Sequence, residues 1–233
     1  MLKELIDKYY LDRQKDKEQH HFYITDAGKC PRQIFFKFKN APRKEMEARI
    51  LRIFDHGNHI HGLIMGALLS SRDIQVVSSE INIPPQELIS GRADAIISDG
   101  KDLYVLDIKS INSVGFKNLT QSKEEDINQI QLYLHYFKIK KGLLLYVNKD
   151  NQELKEFLVN YNQSQAQSLL NSLTNLKKQI DSNTIPSRMP GYLDNWQCRY
   201  CQFGEVCQMA EAGEMKWEDF KKKIEFRNQN DVR

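Results

Sequence analysis

Two aspartates and a lysine, Asp94, Asp107 and Lys109, fall in the stretch Gly91 to Ser110, Gly-Arg-Ala-Asp-Ala-Ile-Ile-Ser-Asp-Gly-Lys-Asp-Leu-Tyr-Val-Leu-Asp-Ile-Lys-Ser. Carboxylate oxygens are hard ligands for a small divalent cation, and an ammonium beside them can stabilise negative charge developing on a phosphoryl oxygen. That chemistry needs the three groups on one face of one element. The stretch reads as a β-hairpin, with β-rich runs at Ala93 to Ile97 and Leu103 to Ile108 around an Asp99-Gly100 pair. A two-residue turn there sets Ser98 opposite Lys101 and Asp94 opposite Val105. Val105, Asp107 and Lys109 then share a face with Asp94, and the two aspartates are diagonal neighbours about 7 to 8 Å apart. A one-residue slip would turn Asp94 away. The competing reading is a solvated hairpin with a charged outer face. Against it, Leu103 to Lys109 is an apolar run suited to a strand covered on both faces, where an aspartate needs a metal or a partner.

The second chemical signal is thiol. Cys198, Cys201 and Cys207 form Cys-x2-Cys-x5-Cys, in a segment entered through Ile185 to Gly191 with its two prolines. Three thiols so close in a short loop point to a metal site. A fourth ligand would close it, and Cys30 is the remaining cysteine, so the site would tie an N-terminal helix to a C-terminal loop. Thr25 and Asp26 are N-cap types ahead of that helix, which places Cys30 in a first turn where the dipole favours a thiolate.

These groups require elements to hold them. A helical pattern runs from about Glu45 to Ser70 and carries His56, Gly57, His59 and His61. At about 100° per residue the three histidines cannot form one site. Gly57 and His61 share a face, so the helix can approach a sheet at Gly57 while His61 reaches across, although a lone helical histidine is also an ordinary structural residue. A strand is expected from Ile74 to Ile83, ended by Pro84-Pro85, with Glu80 read as a strand-end charge rather than a site group. A helix is expected from about Lys123 to Lys138, with Gln129 and Tyr133 on one face as a surface pair or as site residues. Strands at Gly142 to Val147 and Glu153 to Tyr161 and a helix over Ser164 to Ile180 complete an α/β core with a mixed sheet. The polar run ending at His20-His21 reads as solvated, and the tail from Glu214 to Arg233 as a basic helix.

The chain has 233 residues, 40% hydrophobic and 28% charged, with a net charge of +3. It suits one large domain or a core with appendages, burying about 70 to 75% of its unfolded surface. We divide it into a helical segment at 1–44 with the first cysteine, a core at 45–184 and a cysteine-bearing segment with a basic helix at 185–233. No apolar run has membrane-spanning length and the first residues lack a secretory signal pattern, so a cytoplasmic protein without membrane association is expected. The mild charge neither supports nor excludes nucleic acid. Four cysteines in such a chain suit metal ligands or isolated thiols better than disulfides.

Taken in order, Gly57-Asn-His-Ile-His61, Gly91-Arg-Ala-Asp94, Asp107-Ile-Lys109, Gln129-x3-Tyr133 and the four cysteines resemble the PD-(D/E)xK nuclease superfamily in its RecB-like branch. The set is similar to the iron-sulfur exonucleases associated with CRISPR systems and phages, and to the nuclease domain of AddB. The resemblance implies a restriction-endonuclease-like α/β core, a central mixed β-sheet flanked by helices, with a four-cysteine cluster joining the N- and C-terminal segments. It implies a metal-dependent DNA exonuclease acting on single-stranded ends in recombination, replication or CRISPR adaptation, with proteins of those processes as partners. Mg2+ or Mn2+ would be held by His61, Asp94, Asp107 and the main-chain carbonyl of Ile108. Lys109 would serve the attacking water, and Gln129 and Tyr133 would position the phosphate or nucleophile. Cys30, Cys198, Cys201 and Cys207 would hold a [4Fe-4S] cluster, with Zn2+ the competing occupant. Trp196, Tyr200 and Phe203 would stack bases or pack in the core. Asp107 stands where many relatives carry Glu. The alternatives are a non-catalytic DNA-binding or scaffold subunit stabilised by a four-cysteine metal site, and a zinc-stabilised structural protein.

Overall fold

A computed structural model describes residues 1–14 and 18–230 of the chain. The elements in order are α1 (Leu2–Leu11), β1 (Phe22–Tyr23), a 3-10 turn (Ile24–Asp26), α2 (Pro31–Phe38), α3 (Ala48–Leu69), β2 (Gln75–Asn82), β3 (Ile89–Ser90), β4 (Arg92–Ser98) and β5 (Leu103–Ile111). There follow α4 (Ser113–Lys117), α5 (Glu124–Phe137), β6 (Lys141–Asn148), β7 (Leu154–Asn160), α6 (Gln163–Asp181), β8 (Thr184–Ile185), α7 (Trp196–Arg199), α8 (Gly204–Met209), β9 (Met215–Lys216) and α9 (Trp217–Asn230). Parts of the polar run before His20 and the last three residues of the expected basic helix lie outside the described residues. The chain divides into two compact units: Met1–Arg13, His21–Ala27 and Glu47–Leu170 in the first, and Gln14–His20, Gly28–Met46 and Asn171–Arg233 in the second.

The first unit is built on a five-stranded sheet in the order β2-β4-β5-β6-β7. Only β5 and β6 run parallel; β2 with β4, β4 with β5, and β6 with β7 are antiparallel, so the sheet is mixed. The parallel pair follows from its connection, since α4 and α5 carry the chain back over the sheet, whereas a short turn permits only antiparallel neighbours. On one face Ile60 of α3 packs with Ala95, Ile97, Leu106, Ile108 and Val147. Because side chains alternate along a strand, Asp94, Val105, Asp107 and Lys109 point to the other face.

The hairpin register departs from the two-residue turn. Ser98 pairs with Leu103, Ile97 with Tyr104, Ile96 with Val105 and Ala95 with Leu106, leaving a four-residue loop from Asp99 to Asp102. The Asp99 carboxylate makes that loop, since its Oδ1 accepts the amides of Lys101 and Asp102 at 2.9 and 2.8 Å, and Ser98 Oγ accepts the Gly100 amide. Those backbone hydrogen bonds hold the pKa of Asp99 down at about 2. Gly100, with φ +84°, supplies the one left-handed conformation. The shift is two residues rather than one, so the faces are kept, and continuing the register sets Asp94 opposite Asp107 instead of Val105.

On the site's face α5 lies close against β6. A Cβ built on Gly142 would stand 2.6 Å from Ile130 Cδ1 and 2.9 Å from its Cγ1. The helix begins with Glu124, Glu125 and Asp126, favourable charges for its N-terminus, and ends at Lys138 in the left-handed region. Gly142→Ala is therefore expected to push α5 from the sheet, at a cost of about 1 to 3 kcal/mol of stability. A chemical denaturation curve measures it, and an unchanged midpoint would show that Ile130 relaxes freely.

The second unit has an aromatic core. Phe36 of α2 packs against Phe203, Trp217 and Phe220, with ring centroids 5.8 to 6.3 Å apart, and Phe35 meets Trp217 at 5.9 Å. The start of α2 differs from expectation, because Thr25 and Asp26 sit in the 3-10 turn and Cys30 is itself the N-cap residue, followed by Pro31 at the first helical position. Proline there fixes φ and gives up an amide that has no partner inside the helix anyway.

Candidate active site

The hydrogen-bond ladder between β4 and β5 stops at Ala95 and Leu106. At the next position Asp94 Oδ2 accepts the main-chain amide of Ile108 at 2.7 Å, so a carboxylate takes a donor of the neighbouring strand. Asp107, opposite, is almost wholly buried. Its Oδ1 accepts from Gln129 Nε2 at 3.1 Å, and its Oδ2 lies 2.8 Å from Lys109 Nζ, with no donor aligned as a hydrogen bond on it among the described residues. Lys109 Nζ also donates to Gln129 Oε1 at 2.8 Å and lies 3.7 Å from Asp126 Oδ1. The Gln129 amide thus uses both ends, one on the acid and one on the ammonium. Tyr133, a turn later on α5, donates its hydroxyl to the carbonyl of Arg92 at 2.6 Å.

Of the three histidines on α3, His61 reaches the hairpin, with Nδ1 3.3 Å from Asp94 Oδ1. His59 stands 3.9 Å from Asp55 at the surface and His56 is exposed. A Cβ on Gly57 would meet Ser110 Oγ of β5 at 3.2 Å, so the helix does approach the sheet there. Glu80 makes no contact with these groups and forms an exposed ion pair with Arg92. The structure therefore brings His61, Asp94, Asp107, Lys109, Gln129 and Tyr133 together, with Ile108 contributing its amide.

The charges in this pocket are unbalanced. Three carboxylates, Asp94, Asp107 and Asp126, surround one ammonium. Burial pushes the Asp107 carboxyl up to about 6, against the pull of Lys109 and with repulsion from Asp94 adding to it. Burial also works against the Lys109 ammonium, but Asp107, Asp126 and Asp94 outweigh it and raise its pKa above the ordinary lysine value. The hydrogen bond to Asp94 raises His61, and burial drives the Tyr133 phenol up to about 12. Sequence reasoning missed Asp126 and Tyr146. Asp126 lies three residues before Gln129 and seven before Tyr133, on the same helical face, which was a legible signal. Tyr146, whose hydroxyl donates to Asp126 Oδ2 at 2.6 Å, left none, because its place beside Lys109 follows from the β5-β6 register.

In the second unit Cys30, Cys198, Cys201 and Cys207 all line one cavity of about 60 Å3. Burial pushes the Cys30 thiol up despite the nearby amides of Gln33 and Arg32, so the dipole advantage expected at the helix start is outweighed. Burial likewise raises Cys201, and Cys30, Cys207 and Cys198 each add repulsion. Beside them is a fully buried arginine that sequence reasoning did not single out. Arg32 donates to the carbonyls of Pro186, Glu211, Ala212 and Gly213 at 2.7 to 3.3 Å and lies 3.8 Å from Cys207 Sγ. Phe203 is core, while Trp196 and Tyr200 are exposed. Among the described residues no three His, Cys, Asp or Glu side chains form a ready-made group for a single metal ion.

The central sheet and its helices match solved structures. The crystal structure of SSO0001 superposes with a TM-score of 0.57 at 23% identity, over 89% of this chain and 96% of that one. An alkaline exonuclease from Laribacter hongkongensis superposes with a TM-score of 0.52 at 9% identity, over 75% of this chain and 92% of that one. In sequence, the chain is 26% identical over 199 residues to a CRISPR-associated exonuclease Cas4 of Saccharolobus solfataricus, covering 82% of this chain and 89% of the relative. Residues 64–208 match the family model of the PD-(D/E)XK nuclease superfamily, a span that holds Asp94, Asp107, Lys109, Gln129 and Tyr133 but not His61. With more than half its length in that match and the hairpin acids set face to face, the chain belongs to the PD-(D/E)XK nuclease superfamily.

Proposed function

We propose that the protein is a Mg2+- or Mn2+-dependent exonuclease that hydrolyses phosphodiester bonds at single-stranded DNA ends. The observation that carries this is the pocket in which Asp94 stands opposite Asp107 with Lys109 and His61 at its rim. The donor set suits a divalent cation: oxygens of two aspartates, one imidazole, a buried Asp107 Oδ2 without an aligned donor, and an excess of negative charge. His61, Asp94, Asp107 and the carbonyl of Ile108 are the groups that would hold it, and the imidazole favours Mn2+ somewhat. When bound, such an ion lowers the pKa of a coordinated water and offsets charge on the scissile phosphate.

The chain's own residues do the rest. Lys109, kept protonated by its three carboxylates, suits orienting the nucleophile and stabilising phosphoryl charge better than accepting a proton. Gln129 fixes both Lys109 and Asp107, and Tyr133 ties α5 to β4 at Arg92. Lys109→Ala and Asp107→Ala are each expected to lower the cleavage rate of labelled single-stranded DNA by at least about 1000-fold, with Mg2+ or Mn2+ present. Cleavage by either variant at the wild-type rate would mean that the reaction happens elsewhere.

The same reading assigns Cys30, Cys198, Cys201 and Cys207 to a structural [4Fe-4S] cluster. Four thiols lining one cavity suit such a cluster, with Zn2+ the competing occupant of a four-cysteine set. The buried guanidinium of Arg32 supports an anionic centre, since its carbonyl partners satisfy hydrogen bonds but carry no net charge. Anaerobic purification tests this: a brown protein with a broad visible band agrees, and a colourless zinc protein refutes it. The relative named as a CRISPR-associated exonuclease supports the exonuclease reading and a place in such a system.

A further inference from the structure

Next to the pocket, on the N-terminal side of β4, lies a second recess of about 470 Å3, lined among others by Tyr23, Asn82, Pro85, Gln86, Gly91 and Arg92. Three observations join it to the catalytic hairpin. Arg92 and Asp94 are two residues apart on β4, so their side chains share a face, offset by about 6.7 Å along the strand. The carbonyl of Arg92 is the acceptor of the Tyr133 hydroxyl, at 2.6 Å. Tyr23 is anchored to the same segment, because β1 pairs in parallel with β3, with Phe22 beside Ile89 and Tyr23 beside Ser90.

The recess offers a flat ring and a cation. Tyr23 is 41% exposed, and His21 packs edge-on against it with centroids 5.0 Å apart, so ring surface remains accessible. The Arg92 side chain is 59% exposed and its guanidinium is held by Glu80, whose side chain is 58% exposed. An exposed ion pair of this kind is worth little in water, so a phosphate can replace the carboxylate at small cost. Gly91 keeps the floor tight: a Cβ there would stand 2.8 Å from Ile24 Cδ1.

We propose that this recess is a nucleotide subsite, in which Tyr23 stacks a base and Arg92 takes the phosphate adjoining the scissile one, with Glu80 holding the guanidinium until the strand arrives. The proposal rests on the nuclease reading and specifies how that site grips its substrate. A single strand is favoured over a duplex because stacking on Tyr23 requires an unpaired base face.

The test measures binding of a fluorescent single-stranded oligonucleotide to the full chain by anisotropy, with Ca2+ replacing the catalytic ion. Tyr23→Ala is expected to weaken binding about tenfold, while Tyr23→Phe stays within about twofold of wild type because the ring is kept. Arg92→Ala is expected to reduce the slope of log Kd against log salt concentration by about 0.7, and Arg92→Lys to restore it. Glu80→Ala is expected to tighten binding. Wild-type affinity in Tyr23→Ala, an unchanged salt slope in Arg92→Ala, or equal losses in Tyr23→Ala and Tyr23→Phe would each overturn the subsite. A wild-type protein that cuts DNA while these variants bind like it sinks the subsite alone; one that neither binds nor cuts sinks both readings.

Discussion

Asp107→Asn is expected to abolish cleavage and, in protein free of divalent cations, to raise the melting temperature at pH 7. The two effects share a cause. Burial lifts the folded-state pKa of Asp107 from the ordinary 3.8 to about 6, so the fold holds this proton more tightly than the unfolded chain does. Between about pH 4 and 6 the native state therefore binds more protons than the unfolded state. This group's contribution to stability falls as pH rises through that window, and at pH 7 it is unfavourable. Asparagine removes the charge while keeping the shape and the acceptor for Gln129 Nε2. Added Mg2+ or Mn2+ should stabilise the wild type and leave Asp107→Asn little changed. Thermal melts at pH 4 and pH 7, with and without cation, measure this. A variant less stable than wild type at pH 7 without cation would show that the Asp107–Lys109 attraction outweighs the burial and that the Asp107 pKa is lowered by folding, not raised.

Arg32→Ala is expected to unravel the cysteine-bearing unit. The guanidinium gathers the carbonyls of Pro186, Glu211, Ala212 and Gly213, and Arg188 gathers those of Cys207, Gln208 and Ala210 beside them. Removing the first leaves the buried Pro186 carbonyl and three part-buried ones without this donor, and empties the space of a fully buried side chain, so the loss is expected to reach about 3 kcal/mol. Cys207 sits at the edge of this carbonyl cluster, so its thiol should lose its place with it. Limited proteolysis of the C-terminal segment, together with visible absorbance per mole of anaerobically purified protein, reads both losses. An Arg32→Ala protein with wild-type protease resistance and an unchanged band would show that the carbonyls find water instead.

What the chain reveals before folding is uneven for physical reasons. The β-rich runs Ala93 to Ile97 and Leu103 to Ile108 and the helical patterns from Glu45 to Ser70 and around Ile130 and Leu134 are local, and they placed the hairpin, α3 and α5 to within a few residues. Asp94, Asp107 and Lys109 were legible because parity along a strand survives an error of two residues, which is the error the Asp99 side chain introduced. Arg32 and Tyr146 were not legible, since their partners lie far away in sequence and no period marks them. The Cys30 thiol was misjudged because helix-end electrostatics can be read from neighbours in sequence, whereas burial cannot.

The four-residue loop Asp99–Asp102 also decides where this nuclease can be altered. It closes the end of the hairpin away from the acids, about 13 Å of strand from Asp94. β5 takes its place in the sheet from eight paired residues of β6, not from the loop. A fluorophore, a tether or a short peptide tag inserted between Gly100 and Lys101 is therefore expected to leave Asp94 and Asp107 in register, which makes this turn the natural point for attaching the protein to a surface or a partner.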